Sequence, residues 1–354
     1  MSLVIETSGA PPPVLAREWD ALVDRCAAGP FARPGWVEAW CAAFGGGEPV
    51  TIAAHQGGCL SGLLPMVGRL GLLRSPTNAH TPAFRPVAEG ADALGAIADA
   101  LVARRPPAFS IGFLDRHEPA VTALGDAARS AGYRVVVRPI HASPVLLLGD
   151  VDAWEAQRPR RALADLRRRM RRLREAGDVS VARARDPAAL DDVLALEGSS
   201  WKGARGTAIA ADGRLRAFYR RVAGWAAQRD GLRIAVLRLD GRPLAAVLAL
   251  EEDGVLHLVK AGYDPAFARF SPGQLLLQDV LREAFAARLQ RVELHGADEP
   301  YKRLWTGAVR HRVALEAFAP TASGRLAHAA ATGGRFLARR ARELEPRPNR
   351  KRIP

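Results

Sequence analysis

Between residues 232 and 263 the chain alternates strand-length apolar runs with glycine turns. LRIAVLRL (232–239) and PLAAVLAL (243–250) flank Asp240-Gly241, a dipeptide suited to the positive φ angles of a tight hairpin. A third run, VLHLVKA (255–261), predicts a strand that meets a turn. A loop with Arg269 follows, then a helix from near Pro272, since proline suits a first helical turn. RVELHG (291–296) reads as a short strand, Asp298 to Trp305 as the start of a helix, and RVALEAF (312–318) as a further strand.

The N-terminal half repeats part of this pattern. Residues 50–68 read as strand, glycine turn, strand, like 232–250, and AFSIGFLD (108–115) parallels 291–298, each followed by a helix. Two degenerate copies of one unit account for this, and chance likeness of two hairpins is the alternative. The first copy has no counterpart of Ser271-Pro272-Gly273; its equivalent region, Ser75 to Arg85, is irregular and Pro-rich.

Between the copies, RRALADLRRRMRRLREAG places Leu163, Leu166, Met170 and Leu173 at helical spacing, an apolar seam with arginine on the other faces. Gly177 is a stop signal. The segment is either a linker helix with solvated arginines or an anion-binding face for a sugar nucleotide, polysaccharide, RNA or acidic headgroups. After Ala319 the chain turns basic, with a short helix expected over 335–344 and a disordered final ten residues.

At 354 residues the chain suits two domains of globular composition. The expected boundaries are 1–150, a linker helix 151–177, 178–319, and a tail 320–354. No apolar run reaches the length of a bilayer span and no export signal opens the chain, so a cytoplasmic location is expected. Cys26, Cys41 and Cys59 have no metal or redox spacing and read as buried free thiols, and the histidines form no metal motif. The net charge of +14 sits in two segments: 158–175 has nine Arg against Asp165 and Glu175, and 324–354 has eight Arg and Lys351 against Glu343 and Glu345. Each contributes +7, and the remainder sums to zero.

Chemistry concentrates at 255–281. A helix N-terminus offers unpaired N–H groups and a dipole that favours anions. Gly273 lets a ligand approach the backbone, and Arg269 supplies a permanent charge that forks onto phosphate. A phosphate-bearing ligand fits; an ordinary strand-to-helix crossover is the plainer reading.

Several short motifs, in order, resemble one family. They are Ser200-Trp201-Lys202-Gly203, Leu239-Asp240-Gly241-Arg242-Pro243, Lys260-Ala261-Gly262-Tyr263-Asp264, Ser271-Pro272-Gly273 and Tyr301-Lys302, with the run Phe31 to Phe44 containing Trp36 and Trp40. Over about residues 15–318 the chain is similar to the CelD-like acetyltransferases of the GNAT superfamily, associated with bacterial cellulose and exopolysaccharide biosynthesis. The resemblance implies an α/β fold of two tandem GNAT-like units, each a mixed, mostly antiparallel sheet flanked by helices. It implies acetyl-CoA as co-substrate and no metal. The donor would lie on Lys260, Ala261, Gly262, Arg269, Ser271, Gly273 and Gln274, between splayed strands 256–262 and 292–295. Tyr301 would protonate the departing thiolate, with His295, titrating near neutrality, or Glu293 as base. Trp201, Lys202, Asp298 and Lys302 would meet a small acceptor, a sugar or sugar nucleotide. The common GNAT phosphate motif is Gln/Arg-x-x-Gly-x-Gly/Ala; here Arg269 precedes Gly273 by four positions and Leu275 replaces the last small residue. Two rivals stand beside this reading: a Fem-type aminoacyltransferase fed by charged tRNA, and a non-catalytic GNAT scaffold in polysaccharide synthesis.

Overall fold

The hairpin at Asp240-Gly241 joins β9 (Leu232–Leu239) to β10 (Arg242–Glu252), and β10 turns at 253–254 into β11 (Val255–Tyr263). The computed structural model of the chain describes residues 2–4, 13–199 and 212–344. Before this meander come α5 (Val151–Ala156), α6 (Arg160–Glu175), β8 (Val179–Ala184), α7 (Leu190–Ser199) and α8 (Gly213–Gln228). After it come α9 (Pro272–Ala286), β12 (Arg291–Glu293), β13 (Val309–Phe318) and α10 (Ala322–Leu344). The N-terminal half holds β1 (Ser2–Val4), α1 (Pro13–Arg25), α2 (Pro34–Phe44), β2 (Glu48–Gln56), β3 (Cys59–Arg69) and β4 (Leu72–Arg74). It continues with β5 (Val87–Ala88), α3 (Gly90–Ala103), β6 (Ala108–Asp115), α4 (Pro119–Ser130) and β7 (Arg134–Leu147).

The strands form one continuous sheet in the order β1-β2-β3-β4-β6-β13-β7-β12-β11-β10-β9-β8, with β5 beside β3. Each half runs as an antiparallel meander, a parallel step across a helix (β4 to β6, β11 to β12) and a return. The halves interlock: β13, last in the chain, inserts between β6 and β7 of the N-terminal half. The 14-residue β7 extends past β13 so that its end, Val145 to Leu147, pairs with β12.

Central strands bury both faces. On β10, Ala246, Leu248 and Leu250 face a core shared with Trp36, Trp40 and Phe218 of α2 and α8, while Ala245, Val247 and Ala249 face α6 and α9. A Cβ on Gly35 would lie 2.1 Å from the Trp225 ring, so glycine is what lets α2 and α8 approach. Arg33, 2% exposed, pairs with Asp20, Asp24 and Glu252 and fastens the N-terminal helices to the end of β10.

Three expectations need correction. Residues 300–305 form hydrogen-bonded turns and no helix, because Pro300 and Gly307 bound a stretch too short to sustain one. The C-terminal helix begins at Ala322, thirteen residues before 335, because 322–331 contains alanine-rich helix formers without proline. Cys59 is exposed at the start of β3, while Cys26 and Cys41 are half-buried. The final ten residues, 345–354, lie outside the described residues.

Candidate active site in the split sheet

The sheet parts where β11 leaves β12. The two pair in parallel over Val255–Arg291, Leu256–Val292 and His257–Glu293 only. Just beyond, Leu258 opposes Ala249 but Lys260 opposes Leu248, so Val259 is an extra residue in β11. Such a bulge bends a strand and adds twist, which swings β11 away from β12. The edge of β11 from Leu258 onward faces a cavity of about 550 Å³ instead of a strand.

One wall is β11 from Leu258 to Tyr263, and another is the N-terminus of α9. Here Ser271 takes a left-handed conformation (φ 51°, ψ 52°) before Pro272, and its carbonyl accepts from the N–H groups of Gln274 and Leu275. The Gly273 N–H has no backbone acceptor among the described residues. A Cβ on Gly273 would stand 3.6 Å from the Tyr263 ring, an ordinary contact, so packing among the described residues does not require the glycine. A third wall, the loop after β12, brings His295, Glu299, Tyr301 and Lys302. The N-terminal half closes the cavity with Ala79 to Pro82, Phe113 and His141.

The candidate donor residues Lys260, Ala261, Gly262, Ser271, Gly273 and Gln274 all line this space. Lys260 also lies 5.5 Å over the Tyr219 ring. At Gly262 a Cβ would come within 2.7 Å of the Glu197 backbone nitrogen, so glycine is required for α7 to pack on β11. Gln274 accepts from Trp305 Nε1 at 2.9 Å, tying α9 to the loop that carries Tyr301. Arg269 is elsewhere: its guanidinium is exposed, stacked 4.7 Å from the Phe270 ring, because a tight turn over Pro265–Phe270 directs it outward. The guanidinium that does reach the loop is Arg169 of α6, which donates to the Ser271 hydroxyl at 2.7 Å and the Arg269 carbonyl at 2.9 Å.

Among the candidate catalytic and acceptor residues the structure separates two groups. Tyr301 lines the cavity with its ring 45% exposed, and desolvation followed by the Glu299 carboxylate holds its phenol above the usual range. His295 lines the cavity but is buried, and desolvation, then His257, Arg312, Lys302 and His141, hold it well below the usual imidazole range. It therefore does not titrate near neutrality. Glu293 does not line the cavity: its carboxylate receives Arg310 at 2.9 Å and lies 3.3 Å from Arg291. Strand alternation would put Glu293 on the same face as His295, but β12 ends at Glu293 and His295 adopts φ 44°. Asp298 pairs with Arg303 at 3.1 Å away from the cavity wall. Lys302 is buried and donates to the carbonyls of His295 (2.6 Å) and Ala297 (2.9 Å), so its ammonium fastens the loop rather than waiting for an anion. Trp201 and Lys202 lie outside the described residues.

The sequence reading missed the histidines supplied by other elements. His257 of β11 is within 3.0 Å of His295, and burial pushes its own pKa down to about 3. A histidine between leucines in a strand is a signal in itself, since a buried imidazole needs a polar partner. His80 meets the Tyr219 hydroxyl at 3.0 Å and stacks on Phe44. In the N-terminal half the corresponding split is filled by chain: the Ser75 N–H bonds to Ser110, its hydroxyl accepts from Gly112, and the Phe84 N–H bonds to Phe113.

Residues 160–303 match the family described as acetyltransferase (GNAT) domain. That stretch is similar to a GNAT acetyltransferase domain. No curated protein matches the chain in sequence. Among solved structures, FemX aligns with a TM-score of 0.62 at 12% identity over 89% of this chain and 97% of that one. L-PGS from Bacillus licheniformis gives 0.56 at 12% over 94% and 99%. The C-terminal domain of a putative lysylphosphatidylglycerol synthetase from Agrobacterium fabrum gives 0.56 at 13% over 90% and 95%. These likenesses concern the fold, which is that of two GNAT-like units sharing one sheet. The match over residues 160–303 supports an acyltransferase of the GNAT type with an acyl-CoA co-substrate. Among the described residues there is no cluster of metal ligands and no helix long and apolar enough to cross a membrane.

Proposed function

We propose that the protein transfers an acyl group, acetyl in the first instance, from acyl-CoA to an amino or hydroxyl group of a small carbohydrate-related acceptor. The observation that carries this reading is that the split between β11 and β12 and the bare N-terminus of α9 open into one cavity. The pantetheine arm would lie along the free edge of β11, and the phosphates would meet the Gly273 N–H, with Arg169 behind Ser271. Strand amides near Lys260 to Gly262 would polarise the acyl carbonyl as fixed dipoles. The acceptor attacks in a ternary complex, so orientation supplies much of the rate. His295 takes the acceptor's proton, and Tyr301, kept protonated by its raised pKa, supplies one to the thiolate. Residues 178–319 hold the donor, while residues 1–150 contribute the acceptor side through His80, Phe113 and His141.

A second reading, a Fem-type enzyme drawing its acyl group from charged tRNA, is favoured by one observation. Arg160, Arg161, Arg167, Arg171, Arg172 and Arg174 are exposed on α6, the helix that touches the phosphate loop through Arg169. Calorimetric titration with acetyl-CoA separates the readings. Micromolar binding that is lost in Gly273→Glu supports the acyl-CoA donor. Silence toward acetyl-CoA and longer acyl-CoAs, with RNA that copurifies and leaves in salt, supports the tRNA donor.

A further inference from the structure

Two stacked imidazoles sit at the root of the split. His257 is the last β11 residue paired with β12, and His295 follows the end of β12 by two positions. Their rings are 5.3 Å apart and nearly parallel (9°), with Phe31 edge-on to both. His257 Nδ1 and His295 Nε2 are 3.0 Å apart. Two neutral imidazoles share one proton across that contact, so only two arrangements exist. If His257 donates, His295 carries its proton on Nδ1. If His295 donates through Nε2, its Nδ1 is a bare lone pair.

The surroundings choose between them. His295 is 4% exposed, and its Nδ1 is buried without a hydrogen-bond partner among the described residues. Orphaned buried N–H groups are rarer in folded proteins than under-used acceptors. His257 Nε2 is not among the orphaned buried atoms, so the remaining proton has a tolerable position there. The charged groups acting on His295 are Arg312 of β13 and Lys302 of the loop, and both positive charges favour a lone pair over an N–H. His141 of β7, which lines the same cavity, also has a buried nitrogen, Nε2, without a hydrogen-bond partner among the described residues.

We propose that His257 is a positioning residue that holds His295 in the Nε2–H tautomer. The lone pair left on Nδ1 of His295, a residue that lines the cavity, is then the base for an acceptor that offers an uncharged hydrogen-bond donor, a hydroxyl or a neutral primary amine. This inference rests on the acyl-transfer reading for its chemistry. The acceptor's X–H oxygen or nitrogen forms a bond to the acyl carbon and the carbon–sulfur bond breaks. The proton on X passes to His295 Nδ1, the thiolate takes the proton of Tyr301, and solvent returns the His295 proton to Tyr301. A weak base suffices because X becomes strongly acidic once it has attacked. An ammonium has no lone pair with which to attack, so the acceptor reacts as the neutral nucleophile.

The test is ¹⁵N NMR of the full chain labelled at histidine, with His295→Gln used to assign the His295 signals. The expected spectrum shows His295 protonated on Nε2 with an unprotonated Nδ1, unchanged between pH 8 and pH 6. His257→Phe should mix the tautomers and lower turnover at least about tenfold with the donor KM unchanged. His257→Gln, whose amide oxygen can accept the same N–H, should recover most of both effects. A proton on His295 Nδ1 in the wild-type chain, or a tautomer indifferent to His257→Phe, overturns the proposal. Failure of acetyl-CoA to bind while the tautomer is as stated would instead count against the acyl-CoA reading alone.

Discussion

Lowering the pH from 7 to 5 loads protons onto His257 and His295 only when the chain unfolds. Both imidazoles are buried, and desolvation leads the causes that hold His257 down to about 3 and His295 well below its usual value. Arg291, Arg310 and Arg312 act on His257 in the same direction, as Arg312, Lys302 and His141 do on His295. In the unfolded chain each histidine titrates near pH 6.5. Below that pH the unfolded state binds more protons than the folded state, so stability falls as pH falls. The window opens at about pH 6.5 and extends down toward the folded values. Integrated from pH 7 to pH 5, each histidine contributes a loss of about 2 kcal/mol, and the pair about 4. That is a large part of a typical stability of about 5–15 kcal/mol. Urea unfolding at both pH values measures it, with His257→Phe as the comparison. The variant retains one buried histidine of the pair, so its loss between pH 7 and pH 5 should be smaller by about 2 kcal/mol. Equal pH dependence in wild type and variant would refute the reasoning.

Other outcomes follow from the same packing. Gly262→Ala drives a Cβ into the α7 backbone, and the resulting shift of that wall should weaken acetyl-CoA binding at least about tenfold by calorimetry, with a stability loss of about 1–3 kcal/mol. Tyr301→Phe should lower kcat for transfer by about 10²-fold or more with little change in donor affinity, measured by CoA release. Leu315→Ala should destabilise the N-terminal half by about 2–5 kcal/mol despite its late position, because Leu315 of β13 is fully buried in that half's core; hydrogen exchange of β6 and β7 reads the effect. Arg33→Ala leaves Asp20, Asp24 and Glu252 without their shared partner, and a loss of about 3 kcal/mol in urea unfolding is expected.

Local signals read well in this chain, and long-range ones do not. The Asp240-Gly241 hairpin, the strand expected over 255–261 and the helix start at Pro272 each follow from turn chemistry and apolar runs, and all three form, the strand running on to Tyr263. The seam Leu163, Leu166, Leu173 is buried, with Met170 partly so, as its spacing implies. What could not be read was partnership. Arg269 reads as a phosphate ligand because it is near Gly273 in sequence, whereas the guanidinium that bonds to the Ser271 loop is that of Arg169, one hundred residues earlier. His257 became meaningful only when the parallel register set it beside His295. His80 and His141 reach the cavity through interlocked halves, and the insertion of β13 between β6 and β7 leaves no trace in local periodicity.

The central claim is that the split beside β11 is a donor site, and a crystal structure with a non-hydrolysable acetyl-CoA thioether tests it most directly. The account predicts the pantetheine arm hydrogen-bonded along β11 from Leu258 to Gly262, the pyrophosphate at the Gly273 N–H, and the acyl mimic beside His295 and Tyr301. A ligand bound elsewhere, or an empty cavity at millimolar ligand, would contradict it.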